Sequence, residues 1–551
     1  MEQRTLLAII LSLFVLLAYN ALVVKVQHKP ERSQQRSQLI QNKELINKSL
    51  VSSETRLVPA HASLSSANTL LPKAENEKID ILETAALRLE FSNIGGRVKK
   101  IFLKNFYYSP PLTDMLALEG FEQVPFEVAK ASQNTILYTY ETDHYNIEKV
   151  YQAVDDHLFS CQIKILSRDN TGMSNLEIPN IVMYKIDTTR LDNNKNYLLE
   201  RSFLEYSIAT PAGIIRKNNA YKFTNQEKQQ KDGAVQWVGF RDRYFCTIVR
   251  PEYEMTGYTI NPLGESHLEI KLATKASSFK KGEPLTFNSV LLVAPQDLNL
   301  LASYKSNFQE IMNFNTGGFV DVLSFGMTDI LAKGILRLMN GVHKILRNWG
   351  VSIIVLGGLI YLVTYPLTLK SMSSMKKMQL LQPEIAKIRE ANKNNPEKLN
   401  REIMEFYKKN KFNPFAGCLP MFLQMPVFIA LYQVLSRSFT LKGSDFLWIK
   451  DLSEPDRLVI LPYSLPIFGN EINILPPLLM VVMFVQQKIS SKNLIAADPM
   501  QASQQKIMAT VFPVMMGVLF YRIASGLALY FFTFYCLSTF SQWKMSKLIQ
   551  K

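Results

Sequence analysis

The chain has 551 residues, with 62 Lys and Arg against 47 Asp and Glu, a formal charge of +15 and a mean hydropathy of essentially zero. That length is too great for one ordinary domain. An apolar share of 47% with 11% aromatics excludes a disordered chain, and four cysteines exclude a disulfide framework.

The averages hide a division. Residues 25–320 carry 35 basic and 33 acidic side chains, whereas residues 321–551 carry 26 and 13. Uncharged runs cover Thr5 to Val24, Asn348 to Leu369, Phe412 to Ser436, Ile472 to Gln487, Ile507 to Tyr521 and Ile523 to Trp543. A hydrocarbon core roughly 30 Å thick needs about 20 helical residues, so the fourth and fifth runs reach across only with flanking residues or a thinned bilayer. Six spans are predicted, the first being an N-terminal transmembrane anchor over residues 1–24. Its long apolar stretch and the poor cleavage site Ala18-Tyr19-Asn20-Ala21 favour an uncleaved anchor over a signal peptide.

Residues 25–78, rich in Ser, Gln, Asn and Lys, read as a flexible polar tether. Residues 79–324 read as a β-sandwich. Phe159, Cys161, Ile163 and Ile165 alternate with polar neighbours, Thr135 to Tyr140 and Leu268 to Leu272 are strand-like, and Asn93-Ile94-Gly95-Gly96 and Lys281-Gly282-Glu283-Pro284 are turn signals. Nothing there predicts an enzyme, cofactor or metal. His61, His144, His157 and His267 lack ligand spacing, and the chain has no phosphate loop, zinc-protease helix or nucleophile elbow. Cys161 and Cys246 are read as two buried thiols, with a disulfide in an oxidising compartment as the alternative.

Residues 325–347 form an amphipathic helix. Ile335, Leu338, Met339, Val342, Ile345 and Leu346 are set among Lys333, Arg337, Lys344 and Arg347, which suits a membrane surface or, alternatively, packing against the β-domain. Within the five-span core, residues 348–551, the segment 370–411 holds eleven basic and five acidic residues. Its two helical arms, Lys376 to Ala391 and Pro396 to Lys409, are separated by Asn392 to Asn395. The loop 438–471 has three basic and five acidic residues, and Lys544, Lys547 and Lys551 make the tail basic. Basic short loops stay cytoplasmic, so both termini and the hairpin 370–411 are expected in the cytoplasm and the β-domain outside. The hairpin's excess charge suits anionic lipids, with an RNA-rich partner such as a ribosome as the alternative.

Asn348-Trp349-Gly350-Val351-Ser352, Tyr365-Pro366-Leu367-Thr368, Met378-Gln379-Leu380-Leu381-Gln382-Pro383, Asn413-Pro414 with Gly417-Cys418-Leu419-Pro420, Gln424-Met425-Pro426-Val427-Phe428, Asp498-Pro499-Met500 and Ser525-Gly526-Leu527 with Leu529-Tyr530 occur in one order. In these motifs, dense from about 330 to 545, the chain resembles the YidC/Oxa/Alb insertase family. The resemblance implies an insertase and chaperone for integral inner-membrane proteins of Gram-negative bacteria, working alone or with the Sec translocon on nascent clients. It also implies a hydrophilic groove among the last five spans and a periplasmic β-domain after the first. A hydrated half-channel lowers the cost of moving unsatisfied backbone through hydrocarbon.

The family places an Arg in the groove four residues before Tyr-Pro-Leu-Thr; here that position is Tyr361. Tyr361 can donate one hydrogen bond but cannot neutralise a carboxylate. Groove polarity is then expected to rest on Tyr361, Gln424, Gln487 and Thr533, with Gly357 one turn before Tyr361 where the family often has a small polar residue. Met425, Phe428, Tyr530 and Phe531 fall at the family's positions for a surface along which a client helix slides, and soft Met and aromatic groups suit varied clients. Read without the family, the same residues are ordinary packing, and the polar ones are satisfied interhelical hydrogen bonds. A membrane-anchored periplasmic carbohydrate-binding or carbohydrate-active protein is the alternative function, since the family's β-domain resembles a sugar-mutarotase sandwich.

Overall fold

The computed structural model describes residues 77–549, apart from 107, 133, 144, 169–179, 188–202, 219–226, 264–266, 275–283, 316–325, 393–394, 411–418, 466–468 and 493–498. The expected anchor, nearly all of the tether, His61, His144 and the motif residues Asn413, Pro414, Gly417, Cys418 and Asp498 lie outside the described residues.

Alternation along the strands becomes two buried faces. In Leu158–Ser167 the side chains of Phe159, Cys161, Ile163 and Ile165 are all buried, and Tyr138 and Tyr151 from neighbouring strands pack with them. The larger sheet is antiparallel with nine strands in the order Gly213–Asn218, Glu205–Thr210, Trp237–Arg241, Phe245–Pro251, Leu285–Pro295, Leu158–Ser167, Tyr145–Ala153, Thr135–Glu141 and Glu127–Ala131. A second sheet runs Gln229–Asp232, Met255–Leu263, His267–Thr274, Ile181–Asp187 and Leu112–Thr113, with Ala117–Leu118 also paired to Ile181–Asp187. The hydroxyl of Tyr184 on this sheet donates to the Gly239 carbonyl of the larger one at 2.9 Å, through a shared apolar core. A third sheet, Ile79–Glu83, Leu87–Ser92 and Arg97–Leu103, is tied to the larger one by Tyr138, which donates to Asp80 at 2.7 Å.

The turn at Asn93 to Gly96 demands glycine. Gly95 and Gly96 have φ of 75° and 49°, and a Cβ on Gly95 would lie 3.0 Å from the Glu122 carbonyl oxygen. Buried Lys149 donates to the Gly95 carbonyl at 2.7 Å and to that of Leu116 at 3.3 Å, locking this turn to the following loop. Cys161 and Cys246 are both buried free thiols, as the plainer sequence reading expects.

The last strand of the β-domain is Leu285–Pro295. Helix α1, Leu298–Ser303, follows with Asp297 as its N-cap, and then a single 3₁₀ turn, Phe308–Ile311. Helix α2, Thr328–Leu346, is the expected amphipathic element. Ala332, Ile335, Leu336 and Met339 bury against a cluster containing Ile311 and Phe314 from the end of the β-domain and Val434 from the core, while Ile330, Leu338, Ile345 and Leu346 stay exposed. The packing reading thus describes its buried face.

Helix α3, Trp349–Ala391, runs 43 residues without a break from the second predicted span into the first hairpin arm, with Pro366 and Pro383 inside it. Asn348 caps it, accepting from the Val351 N–H at 3.0 Å, and Trp349 stacks on His343 with centroids 3.7 Å apart, fixing the corner from α2. Helix α4, Pro396–Lys409, is the second arm; Asn392 donates to Glu402 at 2.6 Å across the break. The remaining core helices are α5, Leu419–Arg437, α6, Leu475–Lys492, α7, Pro499–Phe520, and α8, Ser525–Ile549. Among the described residues, one stretch, Trp349–Ser374, is long and apolar enough to cross a membrane by itself; Leu475–Ser490 and Ala509–Phe520 are shorter apolar helices, as the short runs foretell. On α3, Leu362 and Val363 face outward.

Candidate functional site: a polar and aromatic seam between helices

Helices α3, α5 and α8 meet where Gly357 leaves room for close approach. A Cβ there would touch Thr533 Cγ2 at 3.4 Å and Tyr530 Cδ2 at 3.5 Å. One turn on, Tyr361 is 8% exposed, with its ring edge-on to Phe534 at 5.6 Å and tilted against Tyr365 at 5.8 Å. Its hydroxyl is buried and faces Ser541. From α5, the Gln424 amide donates to the Tyr530 hydroxyl at 3.4 Å, and Tyr530 is fully buried.

The sequence-derived set therefore divides. Gly357, Tyr361, Gln424 and Tyr530 come together on three helices. Phe428 and Phe531 pair across α5 and α8 at 5.3 Å, and Phe531 also meets Phe520 at 5.1 Å, an interlocked aromatic cluster. Met425 stands apart on the outer surface at 38% exposure. Thr533 donates to the Leu529 carbonyl of its own helix at 2.9 Å, rather than to a neighbouring helix.

Two polar pairs escaped the sequence reading. Gln486 donates to Ser538 at 2.9 Å, and Ser490 donates to Gln542 at 2.8 Å, between α6 and α8. Both helices present these residues four apart, a spacing legible in sequence, but only packing reveals the partnership. Gln487, the residue singled out beforehand, is the half-buried neighbour of Gln486.

A second joint also lacked a sequence assignment. The turn at Asp242 and Arg243 reaches from the β-domain into the core. Arg243 donates from Nε to the Ser436 carbonyl at 2.8 Å, from Nη2 to the Ser453 carbonyl at 2.8 Å and from Nη1 to Glu454 at 3.1 Å, with its guanidinium 4.8 Å from the Tyr244 ring centroid. Asp242 accepts from the Tyr108 hydroxyl at 2.6 Å and from the N–H groups of Tyr244 and Phe245 at 2.8 Å; burial nevertheless raises its carboxyl pKa above the ordinary value. A charged turn between the buried strands Trp237–Arg241 and Phe245–Pro251 was the available signal. Beside it lies a cavity of about 270 Å³ lined by Arg243, Glu454, Arg457, Glu471, Asn473 and Tyr521.

The seam holds hydroxyl and amide groups without a charge of its own. Among the described residues, no three His, Cys, Asp or Glu side chains are grouped to hold a metal ion. An apolar helical core with an internal polar seam, packed against a β-domain, has the architecture of an integral membrane protein.

Residues 341–551 match the family model described as 60Kd inner membrane protein, and residues 115–338 match that of the YidC periplasmic domain. A membrane protein insertase YidC of Prosthecochloris aestuarii is 30% identical over 482 residues, covering 84% of this chain and 75% of that protein. One from Chlorobium limicola is 34% identical over 332 residues, 60% of this chain, and the chain spans about half (55%) of that relative's length. One from Pelobacter propionicus is 28% identical over 589 residues, the whole of both chains. The chain belongs to the YidC family of membrane protein insertases.

Proposed function

We propose that the chain inserts and folds integral membrane proteins without covalent chemistry, by offering incoming segments the seam between α3, α5 and α8. The observation that carries this reading is the polar seam inside an apolar helical core, where Gln424 donates to Tyr530 and the buried Tyr361 hydroxyl faces Ser541. Gly357, Tyr361, Gln424 and Tyr530 contact the polar part of a client in this reading, and Met425, Phe428 and Phe531 its apolar helix.

The same reading takes six spans, with the five core helices preceded by an anchor at residues 1–24, in a Gram-negative inner membrane. Both termini are cytoplasmic, the β-domain is periplasmic, and the hairpin 370–411 meets anionic lipid or a ribosome. Charge asymmetry of the short loops supports that orientation. Cooperation with the Sec translocon rests on the family alone. The carbohydrate-binding alternative lacks a supporting observation.

The test compares Tyr361→Phe and Tyr361→Arg with the parent in vesicles that insert a single-span client with an acidic tail. Tyr361→Phe should slow insertion and Tyr361→Arg should favour the acidic tail over a neutral one. Equal insertion by all three removes position 361 from client handling.

A further inference from the structure

The loop between α5 and α6 carries a two-stranded hairpin, Val459–Leu465 paired with Gly469–Ile472. Its base is pinned to the helical core. Arg457 pairs with Glu471 at 3.0 Å, the Leu458 N–H donates to the Ile472 carbonyl at 2.9 Å, and Asn473 donates to the Tyr521 carbonyl at 2.7 Å. Asp456 accepts from the Ile474 and Leu475 N–H groups, at 2.8 and 2.9 Å, so the hairpin springs directly from the first turn of α6.

Above that base the chemistry changes. The thirteen residues from Leu458 to Asn470 carry no charge. Val459 is 47% exposed, Ile460 65% and Tyr463 61%, and Leu458 is exposed beside them. Adjacent strand residues point to opposite sides, so the first strand presents apolar groups to both faces, while Glu471, opposite Ile460, is held at the base by Arg457. An isolated two-stranded hairpin is marginal in water, and this one exposes hydrophobic surface where a soluble loop would carry charge.

We infer that the hairpin lies in the interfacial layer of the bilayer, with lipid covering both of its faces. Three observations select lipid over a protein partner. The hairpin joins two helices of a membrane-integral core and starts at the end of one of them, which sets it at membrane level. A protein docked on one face would leave the other in water, whereas a lipid layer surrounds both. The uncharged stretch also contains Tyr463, whose amphipathic ring suits the headgroup boundary. The exposed apolar side of α2 (Ile330, Leu338, Ile345) supplies a second surface of the same character. The consequence is a lateral foot that fixes the height and tilt of the core helices in the bilayer.

The test places one additional tryptophan on each face of the full chain, Val459→Trp and Ile460→Trp, with Tyr463→Trp as the conservative aromatic exchange in case either disturbs folding. Each is reconstituted in phosphatidylethanolamine and phosphatidylglycerol vesicles with or without lipid brominated on the acyl chain, and the fluorescence of the parent is subtracted. The expected result is blue-shifted added emission, quenched by brominated lipid at every position and insensitive to iodide on both sides of the bilayer. Red-shifted, iodide-quenched emission means water exposure and overturns the inference. Quenching by brominated lipid at only one of Val459 and Ile460, or at neither with iodide also excluded, means protein covers the hairpin and overturns it equally. Client insertion by the same variants is read separately, so failure of the insertase reading is distinguishable from failure of this one.

Discussion

Lys149 makes the β-domain's stability depend on pH in a calculable direction. Its ammonium is wholly buried, held by the Gly95 and Leu116 carbonyls and lying 5.3 Å from the Phe126 ring centroid. Burial pushes its pKa down from 10.5 to about 7. Between those values the unfolded chain binds one more proton than the folded one, so stability rises with pH, by about 1.4 kcal/mol per unit once well inside the window. Over the whole window the gain is of order 5 kcal/mol. Below pH 7 both states are charged and the folded one bears the full desolvation cost. A neutral amine retains two N–H donors, so both carbonyl bonds survive deprotonation.

Lys149→Met removes the titration but also strands two buried carbonyls, at about 1–3 kcal/mol each. The variant should therefore be clearly less stable than the parent at pH 9, with the gap closing toward pH 6. Urea unfolding in detergent, followed by tryptophan fluorescence at intervals from pH 6 to 9, measures the two slopes. Groups titrating in both proteins cancel in the difference. Parallel slopes would refute the argument, whatever the absolute stabilities.

Gly350→Ala should destabilise the core even though alanine favours a helix by about 1 kcal/mol, because the added methyl would collide with the Phe446 ring, at about 1–3 kcal/mol for overpacking. Thermal unfolding in detergent checks it, and Phe446→Ala in the same chain should recover part of the loss. Arg243→Met strips donors from two buried carbonyls and leaves Glu454 paired with Arg457 alone, which is expected to cost about 3 kcal/mol, mostly from the two carbonyls. Hydrogen exchange in residues 438–454 should accelerate, while exchange in α8 beyond Phe534 stays unchanged. Burial pushes the Cys161 thiol up to about 12 and the Cys246 thiol up as well, so neither should react with a maleimide at pH 8 until the chain unfolds; modification of either in the native protein would contradict its placement.

Periodicity and loop charge made much of this molecule legible. The alternation around Phe159 to Ile165, the glycine turn at Asn93 to Gly96, the asparagine break at Asn392 and the amphipathic helix before Asn348 are local patterns, and local patterns depend on residues close in sequence. The end of the β-domain was less legible because Leu298 to Phe314 lacks strand alternation yet still packs beneath it. At the seam, spacing identified Gly357 and Tyr361 as one face of a helix. Whether Gln424 met Tyr530, or Gln486 met Ser538, depended on which faces of distant helices came into register.

By itself the amino-acid sequence determined a charge-balanced β-domain, an apolar helical half with its positive charge gathered in loops, and the absence of an arginine where the family's groove carries one. These are matters of composition and period, set residue by residue. Only tertiary structure decided that Tyr361 would be buried against Phe534, that Phe428 and Phe531 would interlock while Met425 stayed outside, and that Arg243 would join the β-domain to the core. Each depends on side chains brought together from tens to hundreds of residues apart, and the packing of whole elements chooses among the many pairings that the sequence permits.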